Sequence, residues 1–125
     1  MIGYVTLGTN DFDRASAFYD ALMGHLGYQR ILDEENFVAW GTSLAEPGLS
    51  ITRPFDGQPA TVGNGVMVAL QMDSREAVDA CYAKAIELGA TCEGAAGPRE
   101  EWFYAGYFRD LDGNKLNAYL IEAPA

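Results

Sequence analysis

Histidine is nearly missing from this chain: His25 is the only one in 125 residues. A metal centre that draws two imidazoles from one chain is therefore excluded. So are Ser/His/Asp and Cys/His arrangements, for which His25 would be the sole base. His25 itself stands between Met23 and Leu26 in a helical pattern and is expected to face solvent. Cysteine is also scarce. Cys81 and Cys92 cannot form a disulfide framework, and a reduced pair in a cytoplasmic setting is expected. Cys81 reads as a small core residue on a helix face rather than a nucleophile. Basic residues are few, with Lys+Arg 8 against Asp+Glu 18 and a net charge of −10. That balance argues against nucleic acid and against an anionic membrane surface. It suits a cationic small ligand, or simply solubility. No apolar run is long enough to span a bilayer, and the start lacks a basic segment followed by an apolar one, so no signal peptide is expected. Gly63-Asn64-Gly65 lacks a following Lys-Ser/Thr and precedes a strand, which rules out a phosphate-cradling loop.

What is present fits one compact domain over residues 1–125, with 49% hydrophobic residues. Residues 2–8 alternate as a strand. Asn10 and Asp11 are helix openers. Ala15, Phe18, Tyr19, Leu22, Met23 and Leu26 recur at helical spacing, and Gly27 provides a stop. Residues 29–33, 37–41 and 49–53 read as strands, and 54–65 as a loop. The order then recurs. Residues 65–72 alternate, Asp73 and Glu76 form a candidate capping box, and a helical stripe runs from Ala77 to Leu88 before Gly89. Residues 91–94 read as a short strand, followed by a Gly- and Pro-containing loop.

The tail is the clearest stretch. Residues 103–109 are aromatic-rich, Asp112-Gly113 signals a hairpin, and residues 115–120 alternate cleanly. Leu116, Ala118 and Leu120 share one face; Lys115, Asn117 and Tyr119 share the other. Asp110-x-Asp112-Gly113-Asn114 hints at a calcium loop, but its Gly comes too early and no Glu closes it. Arg109 is expected to pair with Asp110 or Asp112, with a ligand anion as the alternative.

Val5 matches Val68, Tyr19 matches Tyr82, and Leu26-Gly27 matches Leu88-Gly89 one residue off register. The unit is strand, helix, three strands, and it occurs twice, over approximately 1–60 and 64–125. The fold class expected is α+β: two βαβββ units whose open faces can enclose a cleft. Tyr4 and Met67 are equivalent, and both lie on the face away from the helices. Trp40, Thr52, Phe55, Trp102, Tyr104, Tyr107 and Asn117 complete the expected ligand-binding set. Their aromatic rings suit a planar or cationic ligand, with a few hydrogen-bonding groups among apolar walls. Core packing is the competing role for at least half of these aromatics. Glu100 and Glu101 flank the aromatic strand and are candidates for a general base.

GYVTLGTNDFDRASAFYDALMGHLGY, PFDGQPATVGNG and YFRDLDGNKLNAY together resemble the vicinal-oxygen-chelate superfamily, which contains glyoxalases, bleomycin-resistance proteins and extradiol dioxygenases. The resemblance covers nearly the whole chain. It implies paired βαβββ units, a curved mixed sheet forming a cleft, and a homodimer. It also implies metal ligands on the first strand of each unit and on the last strand. Those positions are Tyr4, Met67 and Asn117 here, with a fourth near Ser50 and Thr52. A phenol stays protonated near neutral pH, a thioether suits copper(I) rather than zinc or nickel, and an amide is neutral. The expectation is accordingly no metal, no cofactor, and a small-molecule binding protein. The alternatives are a glyoxalase-like lyase or an enzyme of metal-independent chemistry run by Tyr4 and a loop Glu, and, more weakly, a structural partner module.

Overall fold

Each helix starts where a side chain can satisfy its free amides. In the computed structural model, which describes residues 1–123, α1 (Phe12–His25) is capped by Asp11, whose carboxylate accepts from Arg14 N at 3.1 Å. Gly27, at φ 91°, ends it as expected. The second helix, α2 (Arg75–Glu87), begins one residue later than the Asp73 capping box implies: Ser74 Oγ accepts from Ala77 N at 3.0 Å. Ser and Asp are comparable caps, and the sequence offers both side by side.

Strands β1 (Tyr4–Gly8), β2 (Gln29–Asp33), β3 (Phe37–Gly41) and β4 (Gly48–Thr52) join α1 in a βαβββ unit. Strands β5 (Val68–Gln71), β6 (Thr91–Glu100), β7 (Phe103–Arg109) and β8 (Lys115–Ile121) repeat the order with α2. The chain divides accordingly into Met1–Asn64 and Gly65–Ala125. Each unit carries its own four-stranded mixed sheet, ordered β1-β4-β3-β2 and β5-β8-β7-β6. In each, the first strand pairs in parallel with the last and the remaining pairs are antiparallel.

Alternation sorts the side chains. In unit 1, Leu7, Val38, Trp40, Leu49 and Ile51 point to α1 and are buried with Phe18, Tyr19 and Leu22. In unit 2, Val78, Cys81 and Ala85 of α2 are buried with Phe108, Leu116 and Ala118. Each such large apolar side chain contributes about 1.5–3 kcal/mol on burial. Burial also pushes the Cys81 thiol up to about 11, so it is a packed thiol and not an activated one.

The strand expected at 65–72 is shorter, Val68–Gln71, and two further expectations change. The strand expected at 91–94 continues to Glu100, through Gly94, Gly97 and Pro98. Three register shifts against β7 absorb those residues, and β6 is an edge strand, where Pro leaves no ladder bond unmade. The hairpin turn is organised by Asp110, the first residue of the run Asp110-x-Asp112-Gly113-Asn114. Its Oδ1 accepts from Asp112 N and Asn114 N at 2.9 Å each. Arg109 pairs instead with Glu93 and donates to the Gly113 carbonyl at 3.0 Å.

Gly106 lets α2 approach β7. A Cβ there would lie 3.1 Å from both the Tyr82 Cβ and the Ala96 Cα. Gly106→Ala is expected to cost about 1–3 kcal/mol of overpacking, measured as a lower urea midpoint with unchanged slope.

Candidate functional site

In each sheet the face away from the helix is free to carry chemistry. In unit 1, β1 presents Tyr4, Thr6 and Gly8 there; β4 presents Gly48, Ser50 and Thr52; β3 presents Phe37 and Ala39. The β2–β3 register shifts between Arg30 and Leu32. The irregularity turns Ile31 to this face as well, since its Cδ1 lies 3.1 Å from where a Cβ on Gly41 would sit.

Of these, Tyr4, Ile31, Phe37, Ala39 and Gly48 line a cavity of about 430 Å³ within unit 1. Its walls also include Met1, Leu32, Leu44 and Glu46. The Tyr4 and Phe37 rings meet edge to face, with centroids 6.4 Å apart. Tyr4 itself is 64% exposed, so its phenol is accessible. Deeper in the sheet, Thr6 Oγ1 and Ser50 Oγ lie 2.7 Å apart, and Ser50 donates to the Val5 carbonyl at 3.1 Å.

In unit 2, Tyr107, Asn117 and Tyr119 share the face away from α2. Asn117 is paired with Tyr107 on one side and Ala69 on the other, and is 1% exposed. Met67, half-exposed, immediately precedes β5.

The remaining expected site residues stand outside the unit 1 cavity. Trp40 is a correction: it lies on the helix side, packed 5.6 Å from the Tyr19 ring, and its indole donates to Asp20 at 2.9 Å. It shares its face with Val38, two residues away, and that face belongs to the core. Tyr104 is a second correction. Its hydroxyl donates to Asp79 of α2 at 2.7 Å, which holds the phenol above its ordinary pKa, and Arg75 lies 4.8 Å from its ring. Tyr104 and Tyr107 are an odd number of residues apart, so one strand cannot turn both to the same face. Thr52 sits at the end of β4, its hydroxyl 2.8 Å from the Arg53 carbonyl and 3.1 Å from that of Asn36. Phe55 is fully exposed in the turn after β4. Trp102 lies in the turn before β7, half-exposed, 5.6 Å from the Phe103 ring. Glu100, Glu101 and His25 are exposed. The sequence reading missed Ile31, Leu32, Phe37, Leu44 and Glu46. Only Phe37 carried a signal, as an aromatic in the strand expected at 37–41.

The sequence profile of the Glyoxalase/Bleomycin resistance protein/Dioxygenase superfamily matches residues 1–118. The chain belongs to that superfamily. A glyoxalase/bleomycin resistance protein from Albidiferax ferrireducens T118 is 37% identical, with 99% of each chain covered and a TM-score of 0.87. A lactoylglutathione lyase from Agrobacterium tumefaciens is 21% identical over 95% of this chain and 92% of its own, with a TM-score of 0.71, and shares the fold. No curated protein matches the chain.

The superfamily's metal-using members set a test for these residues. Tyr4 offers a phenol, Met67 a thioether, and Asn117 a neutral amide in place of a carboxylate. Ser50 is already committed to Thr6 and Val5. Among the described residues, no three or more His, Cys, Asp or Glu gather as a metal-binding group. This donor set does not fit a divalent transition metal.

Behind the unit 1 cavity, Arg30 grips Asp20 with two bonds of 2.8 Å and holds its carboxyl below the ordinary range. A lowered carboxyl contributes stability that is complete above its unfolded pKa and lost as pH falls through the folded one. Asp20→Asn should therefore be less stable than wild type at pH 7. The gap should close as pH falls below about 3.9, as urea midpoints across pH would record.

Proposed function

We propose that the chain is a small-molecule binding protein of its superfamily that works without a divalent metal. One observation carries this reading: the first strand presents Tyr4 where the resemblance expects a histidine, and the Tyr4 ring walls an apolar cavity of about 430 Å³. Apolar walls with one phenol and one carboxylate, Glu46, make a site of the kind small ligands use. Flat walls and a nearby carboxylate suit a planar ligand, and a cationic one in particular. Nucleic acid and membrane surfaces are not proposed as partners, given the net charge of −10. A homodimer in the cytoplasm is part of the proposal. The resemblance supports the dimer, and both cysteines are free. No helix of the described residues is long and apolar enough to cross a membrane.

Calorimetric titration with planar neutral compounds and with cationic aromatics such as phenyltrimethylammonium tests the reading. Binding of one equivalent per chain is expected. Tyr4→Ala should weaken it about tenfold, from a lost aromatic contact near 1.5 kcal/mol. Absence of binding across the panel would sink the proposal, as would an affinity indifferent to Tyr4 and Phe37. Conversion of a bound compound would replace it with the enzymatic alternative.

A further inference from the structure

The run Gly63-Asn64-Gly65 cradles no phosphate, yet it holds the only Asn-Gly step in the chain. An Asx side chain and the next backbone nitrogen can close a five-membered ring when that nitrogen is neither crowded nor occupied. Gly leaves it uncrowded, since it carries no Cβ. Three Asx-Gly steps occur here: Asp56-Gly57, Asn64-Gly65 and Asp112-Gly113. Their glycines share positive φ, at 75°, 92° and 91°. Their nitrogens differ. Gly57 N donates to the Pro54 carbonyl and Gly113 N to the Asp110 carbonyl, at 3.0 Å each. Gly65 N has no hydrogen-bond partner among the described residues, and neither has the Asn64 side chain. Asn64 and Gly65 are both exposed, and a Cβ placed on Gly65 would meet nothing within 4 Å. The attacking nitrogen thus has room and no prior engagement.

The other asparagines are restrained. Asn10 is tied to Ala60, donating to its carbonyl at 3.0 Å and accepting from its N–H at 2.7 Å. Asn114 Nδ2 donates to Asp110 at 3.0 Å. Asn117 is 1% exposed within β8. Asn36 precedes the bulky Phe37, which pairs with Thr52 in the sheet.

The position of the free step is also specific. Unit 1 ends at Asn64 and unit 2 begins at Gly65. Chemistry there acts on the joint between the units and on neither core.

We propose that Asn64 is a site of spontaneous deamidation. Gly65 N attacks Asn64 Cγ. The N–Cγ bond forms, the Gly65 amide proton is lost to solvent, and the side-chain nitrogen leaves as ammonia. Water then opens the cyclic imide at one of its two carbonyls. Opening at Cγ leaves isoaspartate or aspartate according to which carbonyl keeps the Gly65 nitrogen: aspartate if the main-chain carbonyl does, isoaspartate if Cγ does. The net exchange is one water taken up for one ammonia released, with no oxidant or reductant. Either product adds a negative charge to a chain already at −10. Isoaspartate also routes the chain through its side chain, which lengthens the joint by one backbone carbon. No residue of the unit 1 cavity takes part.

The test holds the full chain folded in mildly alkaline buffer, beside a sample in guanidinium. Digests of both are followed in time by peptide mass spectrometry and by isoaspartyl methyltransferase labelling. In the folded chain Asn64 should be the first asparagine converted, with both products found at that position. Unfolding should speed isomerisation of Asp56 and Asp112 by about tenfold, the change expected from releasing one turn hydrogen bond. It should leave the Asn64 rate nearly unchanged. Asn64→Gln should remove the label from that peptide and melt as wild type does, since Asn64 holds no bond to lose. Another asparagine converting ahead of Asn64 in the folded chain would overturn the proposal. So would protection of Asn64 by folding equal to that of Asp56 and Asp112.

Discussion

Alternation along the strands, with one helix covering one face of each sheet, is the constraint on which the molecule depends. A side chain one residue along a strand changes sides. In β3, Val38 and Trp40 belong to the core under α1, while Phe37 and Ala39 face the cavity. In β7, Tyr104 and Phe108 belong to the α2 side, while Tyr107 looks the other way. Core side chains and open-face side chains are thereby kept apart on strands of only five to seven residues. Helix packing supplies the stability, and the opposite face is left to vary in chemistry.

That freedom shows in the positions where the superfamily places metal ligands. Tyr4, Met67 and Asn117 all sit at or beside strands whose backbone pairing is regular. Nothing in the pairing required a change of side chain, so the substitutions alter the site and leave the scaffold intact. Tyr4 now walls a cavity, and Asn117 brings a buried amide with donor and acceptor both unspent. The two faces also differ in charge. Glu46 belongs to the unit 1 cavity, whereas Lys115, Arg99 and Arg109 stand on the unit 2 face. A shared fold has been given different surface chemistry in its two halves.

Much of this was legible in the sequence because it rests on local rules. Helical spacing, Gly27 and Gly89 as stops, and the alternating tail are short-range patterns, and the repeat follows from them. The equivalence of Tyr4 and Met67 was readable once the two units were aligned, and the place of Asn117 from the alternating tail and the family resemblance. Other features depend on pairing partners that a linear reading does not see. The bulge that turns Ile31 to the cavity is defined by its register with β3. The length of β6 depends on β7 tolerating three register shifts. Leu44 and Glu46 reach the cavity from a loop, and no periodicity marks a loop residue. Trp40 and Tyr104 are instructive in a different way. Residue type suggested a ligand wall for both. Parity with Val38 and with Tyr107 pointed elsewhere, and parity was the better guide.

The central claim is that this member of the superfamily lacks the chemistry to grip a divalent cation. Metal analysis of protein purified without chelators, paired with melting curves before and after zinc, nickel, iron or manganese is added, tests it most directly. The account predicts well under one equivalent of any of these per chain and an unchanged melting temperature. One tightly held equivalent per chain, with a clear rise in melting temperature when the metal is restored, would contradict it.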